Sequence, residues 1–168
     1  MATFDDAVER EGTWWSTDTL PSWPTAAPLQ AANGGRFDGV YVREPDDVPP
    51  GRYIIIDRVR EGRVPIETQL SMPGRQQHHH LMAIISWTPK EDTQALRLQA
   101  LERGITDVLA RLRGPLLDKT HGAQFTDVGI DGDMIEIDWG AADPFEVFAE
   151  GGPARVALRY IAVDTLYL

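Results

Sequence analysis

Three consecutive histidines, His78, His79 and His80, have the residue type and spacing best suited to metal binding in this chain. On a β-strand, His78 and His80 would share one face and His79 would take the other, because side chains alternate along a strand. A metal site would need a further ligand, and His121 is the only other histidine. Ile84 occupies the position at which a cupin-type pattern would require a glutamate. The pattern therefore favours a polar strand end or a subunit contact, and we expect no bound metal and no cofactor.

Four carboxylates lie close together at Asp131, Asp133, Glu136 and Asp138 and would be candidates for calcium binding. They do not match the ligand spacing of an EF-hand loop, with its central glycine and terminal glutamate. Asp131 and Gly132 are instead typical of a hairpin turn, whose two central residues both have positive φ. The chain also lacks a Gly-x-Ser-x-Gly motif, a phosphate-binding glycine loop, a dinucleotide fingerprint and a cysteine nucleophile. We therefore predict no catalytic residue and a protein that is not an enzyme.

The clearest structural element is a long helix, predicted from about residue 89 to residue 113. Thr88 and Glu91 have the spacing of a capping box, with Pro89 at the first helical position. Gly114, which a proline follows, is typical of a helix end. Apolar residues recur at steps of three and four, which predicts one buried face. That face comprises Leu98, Leu101, Ile105, Val108, Leu109 and Leu112.

Runs rich in β-branched and aromatic residues, without a helical period, predict the strands of a sheet that this helix covers. A short N-terminal helix is predicted before Gly12. We expect an α+β fold with a mixed or antiparallel sheet, forming one domain over residues 1–168. Residues 1–35 would hold the short helix and a loop rich in tryptophan and proline, and residues 36–168 the α+β core. The predicted strands span residues 37–43, 52–60, 77–87, 124–130, 134–140 and 155–168.

The chain is acidic, with a formal net charge of −10. This charge argues against nucleic-acid binding, which depends on Lys and Arg neutralising phosphates. Residues 125–150 contain eight acidic residues and no Lys or Arg, so this block would face water or a basic partner. Its central strand, the second of a predicted hairpin, should have one buried face and one acidic face. The buried face would carry Ile135, Ile137 and Trp139, and the acidic face Glu136 and Asp138.

Targeting and membrane segments are not evident in the sequence. No stretch is long and apolar enough for a transmembrane helix, and the acidic start lacks the features of a signal peptide. We therefore expect no membrane contact. The chain has no cysteine, which removes disulfides and Cys-ligated metals.

Two segments are suited to contacts between molecules. Residues 61–76 are too long for a tight hairpin and too polar for a core, so we predict a projecting arm or an extended hairpin tip. Its contact candidates are Arg63, Gln69 and Arg75. The loop predicted from Gly12 to Gly35 carries Trp14, Trp15 and Trp23, which would either close the core of the domain or dock another subunit.

The order of these elements resembles that of the tail terminator proteins of long-tailed bacteriophages. The resemblance covers roughly residues 36–168 and rests on pattern and order rather than on an invariant motif. In that family the strand before the helix is a hydrophobic run that closes on a tryptophan, as Ile84-Ile-Ser-Trp87 does in this chain. The first 35 residues depart from the family pattern, because they are longer and richer in tryptophan and proline. The resemblance also rests on Arg36-Phe-Asp-Gly-Val-Tyr-Val42, Pro50-Gly-Arg-Tyr-Ile-Ile-Ile-Asp57, the arm, the hairpin and the terminal strand.

This resemblance implies an α+β fold and a ring, commonly hexameric, that stops tail-tube growth and presents a surface to the head connector. The protein would act in the tail and neck region of the virion after assembly in the host cytoplasm. Its partners would be further copies of itself, the tail tube protein and the head connector, while DNA would pass without specific binding. Within such a ring, an acidic lumen or a face for a basic partner ring would be formed by Asp131, Asp133, Glu136 and Asp138.

Two alternatives remain open from the sequence. A head-completion or neck connector protein of the same virion would share the ring and the absence of catalysis. A small metal-dependent enzyme that uses His78, His80 and His121 would share neither.

Overall fold

The computed structural model describes residues 6–17, 28–60, 67–69, 75–113, 120–129 and 135–166. Of the candidate contact residues, Trp23 and Arg63 lie outside these ranges, and Gln69 is described in its backbone only. Asp131 and Asp133, with the turn predicted at Asp131-Gly132, also lie outside the described residues.

The described chain forms a seven-stranded mixed sheet with three α-helices, which confirms the α+β class. The helices are α1 (Ala7–Ser16), α2 (Gln94–Leu112) and α3 (Pro144–Ala149). The strands are β1 (Gly39–Val42), β2 (Arg52–Arg58), β3 (Glu67–Gln69), β4 (Arg75–Trp87), β5 (Asp127–Val128), β6 (Glu136–Asp138) and β7 (Ala154–Leu166). Their order across the sheet is β1-β2-β4-β7-β5, with β3 beside β4 and β6 beside β7. Among these described strand pairs, β1–β2 is parallel and the others are antiparallel.

Two strands of 13 residues, β4 and β7, form the centre of the sheet and pair along their whole length. At about 3.3 Å per residue, each spans about 43 Å. Their side chains alternate between a face covered by α1 and α2, called here the helix face, and the opposite, open face. Trp87, Leu158 and Tyr160 lie on the helix face and belong to the main hydrophobic core.

The predicted hairpin between residues 124–130 and 134–140 is wrong. Strands β5 and β6 do not pair with each other; both run antiparallel to β7 along the same edge, at Val163 and Ala162 and then at Arg159 to Ala157. The hydrophobic pattern identified strands here, but it does not specify a strand's partner. The long edge of β7 offers backbone partners to both short strands.

Strands β2 and β3 lie in the same way along the other edge of β4. Arg58 of β2 is opposite Leu81, and Glu67 of β3 is opposite Gln77. Within the predicted arm, the structure therefore shows an extended hairpin whose described part ends at the Gln69–Arg75 pair.

Helix α2 begins later than the sequence predicted. Thr93 is its N-cap, with its hydroxyl accepting from the Leu96 N–H at 3.3 Å. The predicted capping box is wrong, because Thr88 accepts from the Gly51 N–H at 3.0 Å and Glu91 binds the guanidinium of Arg52 at 2.7 Å. Both side chains serve to anchor the start of β2 instead. The predicted apolar face is confirmed, with Leu101, Ile105, Val108 and Leu112 buried and Leu98 and Leu109 half-buried.

Gly104 lets α2 approach the indole of Trp87. A Cβ atom at position 104 would lie 2.6 Å from Trp87 Cζ3, closer than packed carbon atoms allow. Replacing Gly104 with alanine should therefore destabilise the protein by up to about 2 kcal/mol, which is the overpacking cost of about 1 to 3 kcal/mol less the helix-propensity gain of about 1 kcal/mol. Urea unfolding would measure this change.

A Trp87→Phe background provides the control for that prediction. Phenylalanine lacks the ring atoms that meet position 104, and the Trp87 N–H has no hydrogen-bond partner to lose among the described residues. In this background Gly104→Ala should be neutral or stabilising. An equal penalty in both backgrounds would show that the indole is not the cause.

Helix α1 continues through Gly12 to Ser16, so the loop predicted to begin at Gly12 starts later. Trp14 and Trp15 are therefore helical and only 4% and 0% exposed. Two roles were left open for these tryptophans. Closing the core of the domain is correct for Trp14 and Trp15, and docking of another subunit is wrong for them. Gly12 lies where the helix crosses Val42, whose Cγ2 would be 2.4 Å from an added Cβ.

Candidate functional site

The four histidines do not converge on a common site. His79 points to the helix face and bonds Asp164 at 2.8 Å, while His78 and His80 lie on the open face. His121 is buried on the helix side, beside Tyr160. Across the described ranges, no group of three His, Cys, Asp or Glu side chains is placed to hold a metal ion. The metal-enzyme alternative requires His78, His80 and His121 to lie together. In the structure, His78 and His80 are on one face of the sheet and His121 is on the other.

Glu11 is the centre of a polar cluster that is completely buried against the sheet. Its carboxylate lies 2.8 Å from His121 Nδ1 and accepts from the Tyr160 hydroxyl at 2.7 Å and from Trp15 Nε1 at 2.9 Å. The second ring nitrogen of His121 lies 3.0 Å from the Leu112 carbonyl oxygen. Both ring nitrogens of His121 are thus within hydrogen-bond distance of oxygen atoms, and Glu11 and His121 form a fully buried hydrogen-bonded pair.

The surroundings of this pair keep its hydrogen bonds intact. Burial raises the pKa of Tyr160 well above its ordinary value, and the charge of Glu11 raises it further, so the hydroxyl remains a donor. Trp14 stacks on the His121 ring at a centroid distance of 3.6 Å, and the Arg111 guanidinium lies 4.2 Å above the Trp14 ring. Since Glu11 and His121 are both fully inaccessible, a substrate could not reach them. The cluster joins α1, β7 and residues 120–124, and its role is structural.

A second polar cluster, around Asp164, also holds α1 to the helix face of the sheet. Asp164 accepts from Arg10 Nη2 at 2.7 Å and lies 2.8 Å from His79 Nε2. Arg10 also pairs with Asp6 at 2.7 Å and covers the ring of Phe125 at 4.3 Å. Burial alone would raise the pKa of Asp164, but the hydrogen bonds and positive charges of His79 and Arg10 lower it below its ordinary value.

The open face carries a groove of about 400 Å³ beneath the chain that follows β6. Met82, Ile84 and Ala157 of the sheet line it together with Trp139 and Val147. At its margin Arg159 pairs with Asp138 at 2.7 Å, and Arg155 pairs with Glu44 at 2.5 Å. Both arginines thus have carboxylate partners within the chain. Their charges are therefore already paired and do not indicate a charged ligand in the groove.

The predicted burial of the β6 segment is wrong for two of its three apolar residues. Ile137 and Trp139 are 42% and 43% exposed, and only Ile135 packs against the core. Within the described ranges, β6 pairs with β7 on one side alone, so its apolar side chains extend past the covered part of the sheet. Of the predicted acidic residues in the described chain, Glu136 is exposed and Asp138 is half-buried in its pair with Arg159.

The exposed apolar residues are the surface features that the sequence did not identify. Val42 of β1 and Ile137 of β6 are each at least 40% exposed, although both lie within strands. Phe145 of α3 and Leu96 of α2 are 48% and 50% exposed. Arg75, predicted as a contact residue, is also exposed, at the tip end of β4. A surface for another protein fits these positions better than the buried Trp14 and Trp15.

Comparison with models of known protein families and with curated proteins finds no match to this chain. Among the described helices, none has both the length and the hydropathy that crossing a bilayer requires.

Proposed function

We propose that this protein is a ring-forming structural subunit of a long-tailed bacteriophage, acting as the terminator of its tail tube. The observation that carries the proposal is that, among the described residues, the outer strands β1 and β6 each pair on one side only and each carry an exposed apolar side chain. A sheet with two open edges can pair at both, which is what a subunit of a closed ring needs.

Two further features support this assignment. The extended β3–β4 hairpin lies where the resemblance to tail terminators places an arm, between the second strand and the strand that closes on Trp87. The polar clusters around Glu11 and Asp164 are buried and occupied by internal partners, which suits a rigid structural subunit. The ring would be a hexamer that binds the tail tube protein on one side and the head connector on the other.

Deleting residues 61–74 from the phage gene should test the role of the arm. Arg58 is opposite Leu81, so the Arg75 end of β4 would become the turn that connects to Arg60. The rest of the sheet should fold, and urea unfolding should show a single transition. We expect the mass of the purified protein to fall from six times 18.7 kDa to that of one chain, and infectious particles to be lost.

Electron microscopy of particles made without the protein distinguishes the candidate roles. Loss of a terminator should give tails of uncontrolled length, since tube growth would not stop. Loss of a neck connector should give tails of normal length that do not join heads. Normal particles in the absence of the protein would overturn both assignments.

A further inference from the structure

The two open edges of the sheet have complementary backbone directions. Counting from β1, the strands β2, β4, β7 and β6 run parallel, antiparallel, parallel and antiparallel to it. Strand β6 is therefore antiparallel to β1 of the same chain. A rotation about an axis parallel to the strands does not change the direction in which a strand runs. If such a rotation places a neighbouring copy beside β6, the β1 strand of that copy therefore also runs antiparallel to β6. Antiparallel pairing is the more stable arrangement per residue.

The backbone groups of β1 and β6 that face outward also match. Arg43 donates its N–H to the Ile56 carbonyl at 2.8 Å, so alternation along β1 turns the N–H and C=O of Val42 away from β2. Gly129 donates to the Ile161 carbonyl at 2.7 Å, so the odd-numbered residues of β7 face the β5 and β6 edge. Ile137 is opposite Leu158 and hence directs its own N–H and C=O outward. Val42 and Ile137 can thus exchange two hydrogen bonds.

The exposed side chains lie on the same face at these two positions. Ile137 is opposite Leu158, a helix-face residue, and Val42 packs toward Gly12 of α1, which covers that face. They are the most exposed apolar residues of their strands, at 42% and 40%. Pairing Ile137 with Val42 would bury both. Pairing β6 with a second β6 would instead place Glu136 opposite Asp138, and like charges directly opposite each other are destabilising.

We propose that β6 of one copy pairs antiparallel with β1 of the next, with Ile137 opposite Val42, so that the sheet continues from subunit to subunit. The partner is a second copy of this chain, and the contact is head-to-tail, which forms a ring when the rotation between successive copies closes. A ladder this short buries little surface, and a stable interface needs about 1,000 Å² or more. Trp139 and Phe145, exposed close to β6 in sequence, would supply part of the remaining area. The inference rests on the proposed function, because it names the surface by which that ring would form.

Cysteine cross-linking tests the register directly, because the natural chain has no cysteine. Residues exchanging both hydrogen bonds in an antiparallel pair have Cα atoms about 5.5 Å apart, within the range that a disulfide spans. Within one chain, positions 42 and 137 are on opposite edges and cannot be joined. The oxidised double variant Val42→Cys/Ile137→Cys should therefore give a ladder of covalent multimers that ends at the ring size.

Single variants supply the controls. Val42→Cys and Ile137→Cys should each stay uncross-linked alone and should give a covalent dimer when mixed. Val42→Cys with Glu136→Cys should not cross-link, because the Glu136 side chain points to the open face. Cross-linking of either single variant with itself would overturn the proposed pairing. So would a ring of normal mass in which the double variant does not cross-link, and that result would leave the tail-terminator assignment standing.

An Ile137→Pro variant gives a second test without cross-linking. Proline lacks the N–H that Ile137 directs outward, and it is tolerated on edge strands when that group is not used within the chain. The variant should keep the unfolding transition of the natural protein and lose self-association. A folded Ile137→Pro protein that still assembles would overturn the proposal.

Discussion

Replacing Glu11 with alanine should destabilise the protein by about 3 to 5 kcal/mol, because it leaves several buried polar groups without their shared hydrogen-bond partner. His121 is fully inaccessible, so its Nδ1 would have no water to replace the lost carboxylate. The buried donors of Tyr160 and Trp15 lose the same acceptor. Urea unfolding followed by tryptophan fluorescence would measure the change.

Glu9, on the same helix, is the matched control. It pairs with Arg43 at the surface, where both side chains are about half exposed (52% and 45%). Exposed ion pairs contribute about 0 to 1 kcal/mol, so Glu9→Ala should change the free energy of unfolding little. Equal effects at positions 9 and 11 would contradict the role assigned to the buried cluster. The double variant Glu11→Leu/His121→Leu should be less destabilised than Glu11→Ala, because it removes both polar side chains of the pair and fills their space with apolar ones.

The sequence predicted the body of α2 well but not its start. Six apolar residues at helical spacing predict the buried face from local geometry alone, and all six lie toward the core. The choice between Thr88 and Thr93 as N-cap depends on contacts distant in sequence. Thr88 and Glu91 are engaged by Gly51 and Arg52, which no local pattern reveals.

The buried Glu11–His121 pair had one visible signal in the sequence. Glu11 shares a helical face with Ala7, Val8 and Trp15, since these residues lie three or four positions from it. A carboxylate within an otherwise apolar face predicts a buried partner. His121 is 110 residues away, so its identity as that partner requires the tertiary structure.

The edges of the sheet were the least predictable feature. The alternation of Ile135, Ile137 and Trp139 with acidic residues is the same in a covered strand and in an outer strand. Only the pairing of β5 and β6 with β7 determines that Ile137 is exposed and that its backbone faces outward. The candidate interface therefore follows from topology, whereas the α+β class follows from residue patterns.

Replacing Asp164 with asparagine should destabilise the protein at neutral pH by about 3 to 5 kcal/mol, since it removes the charge that compensates buried groups. Asp164 is 6% exposed and is shared by Arg10 and His79, which come from α1 and β4. Its loss weakens the attachment of α1 and leaves Arg10 with Asp6 as its carboxylate partner. Asp107→Asn is the control, because Asp107 pairs with the exposed Arg36 and should contribute about 1 kcal/mol or less.

The pH dependence of this effect has a definite sign. The pKa of Asp164 is lower in the folded protein than its ordinary value of 3.8, so its stabilisation is complete above that value and is lost as the pH falls through the folded pKa. The difference in unfolding free energy between the natural protein and Asp164→Asn should therefore stay the same from neutral pH to about pH 4 and become smaller as the pH falls from about 4 to about 2. Asp57 and Glu91 also have lowered pKa values, but both proteins contain them and their contribution cancels in the difference. A gap that stays constant over this range would mean that the Asp164 charge does not stabilise the fold.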